Sequence, residues 1–266
     1  MVGLLQPHPW QLGEPPPPLP QSTAPPLLLL IDCHKPCPES ELEALFASLS
    51  PLERQRHSSY RRPADRDRFL MARASLRELL GSWLALSPAS IPIAISRTGK
   101  PHCPSPGAPA FNLSHSGDLI LLGFHGSLAV GVDVEQARPE LDWCPIARRV
   151  LTPAEVAALQ ALPLTDQPSA FLAAWCLLEA RLKAQGAGLA GLEELRKSHP
   201  SFDVAPPGSL WMVAVPPGYA AAAALCNPFP FTVPRVAVAG AARPSLPASG
   251  APLAGSSPSV VQRRGG

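Results

Sequence analysis

No apolar run comes near the roughly 20 residues that a membrane-spanning helix needs. The best, 27–31 (Leu-Leu-Leu-Leu-Ile), is five residues long. The opening MVGLLQPHPW has no basic segment and no clean cleavage site, so neither a signal peptide nor a membrane partner is expected, and a reducing cytoplasm is the expected compartment. Six cysteines in 266 residues are too few for a disulfide framework. Cys33-His34-x-x-Cys37 resembles half of a zinc site, but the second half is missing, and the residues read as loop thiols. Charge is scarce as well. Asp, Glu, Lys and Arg make up 16% of the chain and the net charge is +2, which argues against a nucleic-acid partner held by the overall field.

Proline is abundant, with 36 in the chain and nine of them within residues 1–26. That stretch reads as an extended, poorly packed, disordered tail, and residues 239–266 read as a second one, of small residues and proline. A hydrophobic fraction of 46% places the remainder among folded chains. The folded part is expected over 27–238, divided into an N-terminal half, 27–125, and a C-terminal half with a metal site, 126–238.

Residues 27–31 read as a buried strand. Leu42, Leu45, Phe46 and Leu49 have helical spacing, and a second helix is predicted over 65–84. Residues 91–96 read as a strand, and 119–124 with 128–135 as a hairpin around His125-Gly126-Ser127. A helix over 169–185 stops at Gly186. Ser50-Pro51-x-Glu53 recurs as Thr152-Pro153-x-Glu155, and Phe69-Leu70-Met71-Ala72 as Phe171-Leu172-Ala173-Ala174, both at an offset of 102. An apolar strand precedes each copy, so two copies of one α/β unit are predicted.

In Gly131-Val132-Asp133-Val134-Glu135, strand alternation puts the valines on one face and the two carboxylates on the other, within about 7 Å. Hard oxygen ligands so placed suit Mg²⁺; the alternative is an acidic outer face. Glu179 and Lys183, spaced i,i+4, share a helix face. They read either as a surface ion pair or as a carboxylate completing the metal site, or serving as base, beside a phosphate-binding ammonium. Ser114-His115-Ser116-Gly117 reads as a turn offering an anion cradle or as plain structure. Eight arginines lie between Arg54 and Arg77, suited to phosphates or balanced on a solvated helix face. Arg97-Thr98-Gly99-Lys100-Pro101 is a further basic turn.

Taken in order, Gly99-Lys100-Pro101, Phe111-Asn112-Leu113-Ser114-His115-Ser116, Val130-Gly131-Val132-Asp133-Val134-Glu135 and Trp175-x-x-x-Glu179-Ala180-x-x-Lys183-Ala184-x-Gly186-x-Gly188-Leu189 resemble the 4′-phosphopantetheinyl transferases, in the long, single-chain, surfactin-synthetase-activating class. The resemblance covers about 27–235. It implies an α+β fold, a pseudo-dimer of two similar α/β halves with the active site in the cleft between them. It implies Mg²⁺-dependent transfer of 4′-phosphopantetheine from coenzyme A to a serine of an apo acyl or peptidyl carrier protein, releasing 3′,5′-ADP, by a monomer.

On that resemblance, Asp133, Glu135 and Glu179 gather Mg²⁺, Glu179 takes the serine proton and Lys183 neutralises the diphosphate. His115, Arg54, Arg56, Arg68 and Ser114 bind phosphates, while Arg97, Gly99, Lys100 and Pro101 line the adenine side. Two positions depart from the pattern: Leu178 replaces a lysine common before the helical glutamate, and Glu53 stands where a basic residue is frequent. A Mg²⁺-dependent phosphodiesterase or nucleotidase is the alternative, weakened by the lack of a second carboxylate cluster.

Overall fold

Each half of the chain builds its own sheet and its own helical layer, and an N-terminal segment adds one short strand to each. The computed structural model describes residues 2–21, 24–34, 39–188, 191–193 and 209–226, all within one unit, Met1–Phe229. The N-terminal segment supplies β1 (Gly3–Leu5) and β2 (His8–Pro9). The first half then runs β3 (Leu27–Asp32), α1 (Glu39–Ser48), α2 (Pro51–Ser59), α3 (Pro63–Leu84), a 3₁₀ turn (Pro88–Ser90), β4 (Ala94–Ile95), β5 (Pro101–His102), β6 (Ala110–Ser116) and β7 (Leu119–His125). The second runs β8 (Ala129–Gln136), α4 (Trp143–Val150), α5 (Pro153–Gln160), α6 (Gln167–Gln185), β9 (Leu210–Val213) and β10 (Tyr219–Cys226).

The sheets are ordered β2-β3-β7-β6 and β1-β9-β10-β8, with β4 and β5 as a separate pair. The predicted duplication is visible in the register. Leu27 faces Phe124 across β3 and β7, and 102 residues on, Ala129 faces Cys226 across β8 and β10. The helix starts repeat too. Ser50 and Thr152 each accept from the backbone N–H three residues on, and Glu53 and Glu155 reach back to complete two capping boxes.

Strand alternation sorts the core into layers. Ile120, Leu122 and Phe124 of β7 pack with Leu76, Leu79 and Leu80 of α3. Leu119 and Leu121 of the same strand pack instead with Val130, Val132 and Val134 of β8 and with Ala221 and Ala223 of β10. The valines of β8 therefore point between the sheets, and Gly131, Asp133 and Glu135 point the other way, as the alternation predicted.

Four local expectations are corrected. The expected hairpin of 119–135 does not form, because both edges of β7 are taken by β3 and β6; β8 turns away into the other sheet. His125 shapes that junction, its Nδ1 accepting from the N–H groups of Ser127 and Leu128 at 3.1 and 2.9 Å. Within 91–96 only Ala94 and Ile95 are paired. Ser114, His115 and Ser116 lie in β6 rather than in a turn, so their backbone belongs to the ladder with β7 and forms no anion cradle.

The last correction concerns the N-terminal segment, expected as a loose tail. It pairs in parallel with both sheets, β1 on β9 and β2 on β3. Trp10 is 3% exposed within the core against α3. Trp83 Nε1 donates to the Pro17 carbonyl at 3.1 Å. Proline keeps this segment extended, and the buried indole supplies the apolar area that holds it down. Cys37 of the zinc-like fragment, Leu189 of the helical motif and the segment 239–266 lie outside the described residues.

Candidate active site

The site forms where β6 of the first half meets β8 of the second, under α6. Glycine decides how close α6 comes. A Cβ at Gly131 would collide with the Ala180 carbonyl and the Ala184 N–H, so only glycine lets the helix backbone rest on the strand. Cys176, Ala180 and Ala184 then pack on Ala222 and Ala224 of β10, a contact of small residues. This short approach carries Glu179 and Lys183 to the carboxylates of β8.

Asn112, Ser114 and Ser116, alternate residues of β6, bind across to β8. Asn112 Oδ1 accepts from Val132 N–H at 2.9 Å. Ser114 Oγ donates to Asp133 Oδ1 at 3.0 Å, and Ser116 Oγ to Glu135 Oε2 at 2.8 Å. Ser116 Oγ also accepts from Gln136 N–H at 3.1 Å. Three side chains thus join two sheets that share no backbone ladder at this seam. The sequence assigns Asn112 no chemical role, and Ser116 one only within the expected anion cradle; their period-two spacing with Ser114 is the signal for the role found here.

Asp133 is 2% exposed. Its Oδ1 accepts from Lys183 Nζ at 2.7 Å, and that ammonium also donates to Ser114 Oγ at 3.2 Å. Its Oδ2 is buried with no hydrogen-bond partner. The Cys176 thiol lies beside it, but its single hydrogen goes to the Ala220 carbonyl at 3.4 Å. Burial first, and the Asp133 charge second, hold that thiol protonated. Glu135 is pushed above the ordinary carboxylate range by burial, with the Ser116 hydrogen bond opposing and the Asp133 charge adding. Glu179 is raised likewise, by burial first; Lys183 opposes, and Asp133 and Glu135 add to the rise.

Three neighbouring carboxylates, Glu135 and Glu179 with raised proton affinity and Asp133 with a bare buried oxygen, form a donor set that attracts a hard cation. Among the described residues no three His, Cys, Asp or Glu side chains stand as a preassembled ion cage. Mg²⁺ does not require one, since it is usually held by one or two carboxylates together with substrate phosphates and water. The residues therefore fit this ion, and the Lys183 ammonium occupies the acidic focus here.

The remaining expected residues divide. His115 projects from β6 on the face opposite the serines, with its side chain exposed. Partial desolvation, then Arg68, and more weakly Lys183, lower its pKa. Arg68 pairs with Asp65 at 3.0 Å. Arg56 lines an open cleft of about 470 Å³ with Ser50, Gln55, Phe69 and Arg73. Arg73 stands in the sequence only as one member of the arginine run; its Nη1 is buried without a partner, and its pKa is lowered by burial despite Glu53 at 3.8 Å.

Arg54 is turned away from this cleft, its Nη2 donating to Ala47 O at 2.7 Å and its guanidinium lying over Phe46. Arg97 is exposed on the β4–β5 turn, where Gly99 adopts φ +88° and Pro101 pairs with Ile95. Lys100 points inward, onto backbone carbonyls of the second half.

Both departures from the family pattern have structural roles. Leu178 is fully buried with Leu182, Val150 and Leu159 under α4 and α5, on the side of α6 away from the acids. Glu53 closes its capping box and pairs with Arg77 at 2.7 Å, which itself donates to Pro88 O and Ile91 O.

Two family models divide the chain at the junction after β7. Residues 34–125 match the 4′-phosphopantetheinyl transferase N-terminal model, and 129–212 match the 4′-phosphopantetheinyl transferase superfamily model. The chain is similar to the 4′-phosphopantetheinyl transferase HetI of Nostoc sp., at 37% identity over 161 residues, which is 59% of this chain and 68% of that protein. It is 33% identical over 172 residues to the 4′-phosphopantetheinyl transferase AcpT of Salmonella typhimurium, covering 62% of this chain and 85% of the relative. Against the 4′-phosphopantetheinyl transferase Sfp of Bacillus subtilis it is 28% identical over 156 residues, 58% and 68% of the two. For two further relatives the share of their length falls to 60% and 55%. With both halves matched in order and the acidic site at their seam, the chain belongs to the 4′-phosphopantetheinyl transferase family of enzymes.

Proposed function

We propose that this chain transfers the 4′-phosphopantetheine arm of coenzyme A to a serine hydroxyl of an apo acyl or peptidyl carrier protein. The bare, buried Asp133 Oδ2, set among Glu135, Glu179 and Lys183, is the observation that carries the reading. In the reaction the serine oxygen forms a bond to the phosphorus that bears the pantetheine arm. The bond from that phosphorus to the bridging oxygen of the diphosphate breaks, and 3′,5′-ADP leaves with the electron pair. Positioning and charge neutralisation dominate such a step.

Asp133 and Glu135, with Glu179, would hold Mg²⁺, which supplies neutralisation of the diphosphate oxygens when bound. Glu179 takes the serine proton; its raised proton affinity suits a general base. Lys183 moves from Asp133 Oδ1 to the diphosphate and balances charge on the leaving oxygen. Ser114 and Ser116 hold the β8 carboxylates in place. His115 and Arg68 face one phosphate, and Arg56 with Arg73, two guanidiniums sharing one cleft, take the remaining anionic end. Arg97, Gly99 and Pro101 border the adenine.

Duplication within one chain supplies both walls of the cleft, so the enzyme acts as a monomer. No helix among the described residues is long and apolar enough to cross a membrane. Cys103, Cys144, Cys176 and Cys226 stand as thiols, in keeping with a reducing cytoplasm.

The direct test is mass spectrometry of an apo carrier mixed with the protein, coenzyme A and Mg²⁺. The carrier gains one phosphopantetheine, and Asp133→Ala or Glu179→Ala removes the gain while the circular dichroism spectrum persists. Breakdown of coenzyme A without a carrier, and no gain with one, would replace this reading with phosphodiester hydrolysis.

A further inference from the structure

We propose that Lys100 is a positioning residue, a peg from the first half that fixes the end of α6 and so sets Lys183 over Asp133. Its Nζ donates to Val130 O at 2.8 Å, to Lys183 O at 2.6 Å and to Ala184 O at 3.3 Å. An ammonium has three hydrogens, and each meets a carbonyl, so none is left for a nucleotide. All three acceptors belong to the second half, whereas Lys100 ends the β4–β5 turn of the first.

Two of the acceptors lie in the last turn of α6, where carbonyls lack partners within the helix and the dipole favours a cation. The third, on Val130, adjoins Gly131, where the helix backbone presses on β8. The peg therefore bridges the helix end and the strand at their tightest contact. Because it grips the carbonyl of Lys183 itself, it fixes the backbone from which that side chain reaches Asp133 Oδ1 at 2.7 Å.

The turn is built to hold the peg still. Gly99 N–H donates to Ser96 O at 2.9 Å, Lys100 N–H to Ser96 Oγ at 3.0 Å, and Ser96 N–H to Lys100 O at 2.9 Å. Gly186, which caps α6 at φ +68°, would place a Cβ 3.6 Å from Lys100 Cδ, so the stem is packed as well. Burial pulls the Lys100 ammonium down to about 8, with Cys226 opposing.

This role deepens the transferase reading and rests on it for its kinetic consequence. The test compares wild type, Lys100→Met and Lys100→Arg by steady-state transfer and by amide hydrogen exchange. With coenzyme A and with its 3′-dephospho form alike, Lys100→Met should lower kcat about 10- to 100-fold, with KM for coenzyme A little changed. Exchange at Gly186 and Ala187, whose amides bond back to Lys183 and Leu182, should rise about tenfold, while the end of α3 at Ala85 and Leu86 stays as in wild type. Lys100→Arg, which keeps donors and charge, should recover part of both losses. A raised KM confined to coenzyme A, with α6 exchange unchanged, would overturn the proposal in favour of a nucleotide contact. Exchange rising uniformly along the chain in both variants, or loss of folding, would overturn it in favour of a fold-wide role. If wild type shows no transfer, the enzymatic reading fails, and the exchange comparison still decides whether the peg holds α6.

Discussion

The two halves share a frame and differ in what fills it. At the offset of 102, Ile31 of β3 corresponds to Asp133, Cys33 to Glu135, Arg77 to Glu179 and Gly81 to Lys183. One copy carries the acids and the ammonium; the other carries an apolar residue, a thiol, a buried arginine and a small residue. Leu29, fully buried against α3, corresponds to Gly131. A leucine side chain thus holds α3 off its sheet, whereas glycine lets α6 lie directly on β8. Arg77, 1% exposed, locks α2, α3 and the following 3₁₀ turn together where the second copy places its candidate base. The same helix position serves stability in one half and chemistry in the other. What separates them is whether the helix stands far enough off for packing or near enough for carboxylates to meet.

The sharpest way to break this comparison is to exchange the two roles. Arg77→Met leaves Glu53 buried without its partner, and the loss of one member of a buried pair costs about 3–5 kcal/mol. Urea unfolding should record that loss, and a change under about 1 kcal/mol would remove Arg77 from the frame. Gly131→Ala comes next. Its Cβ meets backbone rather than a pliable side chain, so α6 must shift, at about 1–3 kcal/mol, and transfer should fall more than stability does. Transfer at the wild-type rate would show that the close approach is not what assembles the site.

Glu179→Gln is the smallest effect on the fold and the most telling. Burial first raises the Glu179 pKa above its ordinary value of 4.5. A carboxyl with a raised folded-state pKa binds its proton more tightly in the folded chain, so stability is lost as pH rises through that window. The amide carries no such charge. Glu179→Gln should therefore melt above wild type at pH 7, melt with it near pH 4, and transfer nothing. A lower melting point at pH 7 would make Glu179 a structural residue like Arg77.

Much of this architecture was legible in short stretches of sequence. Ser50–Glu53 and Thr152–Glu155 announce helix starts because the cap bonds act over three residues. The valine–acid alternation of 130–135 places Asp133 and Glu135 on one face, since a strand repeats every two residues. Less legible were the pairings between distant segments. His125-Gly126-Ser127 looks like a hairpin loop until β3 is known to occupy the free edge of β7. The proline-rich opening looks unpacked until Trp10 finds the core beneath α3. Arg54 and Arg73 are equal members of an arginine run, and only the packing of α1 against α2 turns the first onto Ala47 and leaves the second in the cleft.

By itself, then, the sequence determined the repeat, the helix ends, the acidic strand face and the family resemblance, because each is written in residues within a few positions of one another or in motifs of fixed order. The tertiary structure alone decided which sheet each strand joins, that β6 serines hold β8 carboxylates, and that Lys100 spends its charge on α6. Those outcomes depend on which hydrogen-bonding edges and carbonyls remain unpaired once the rest of the chain has packed, and no local pattern encodes that.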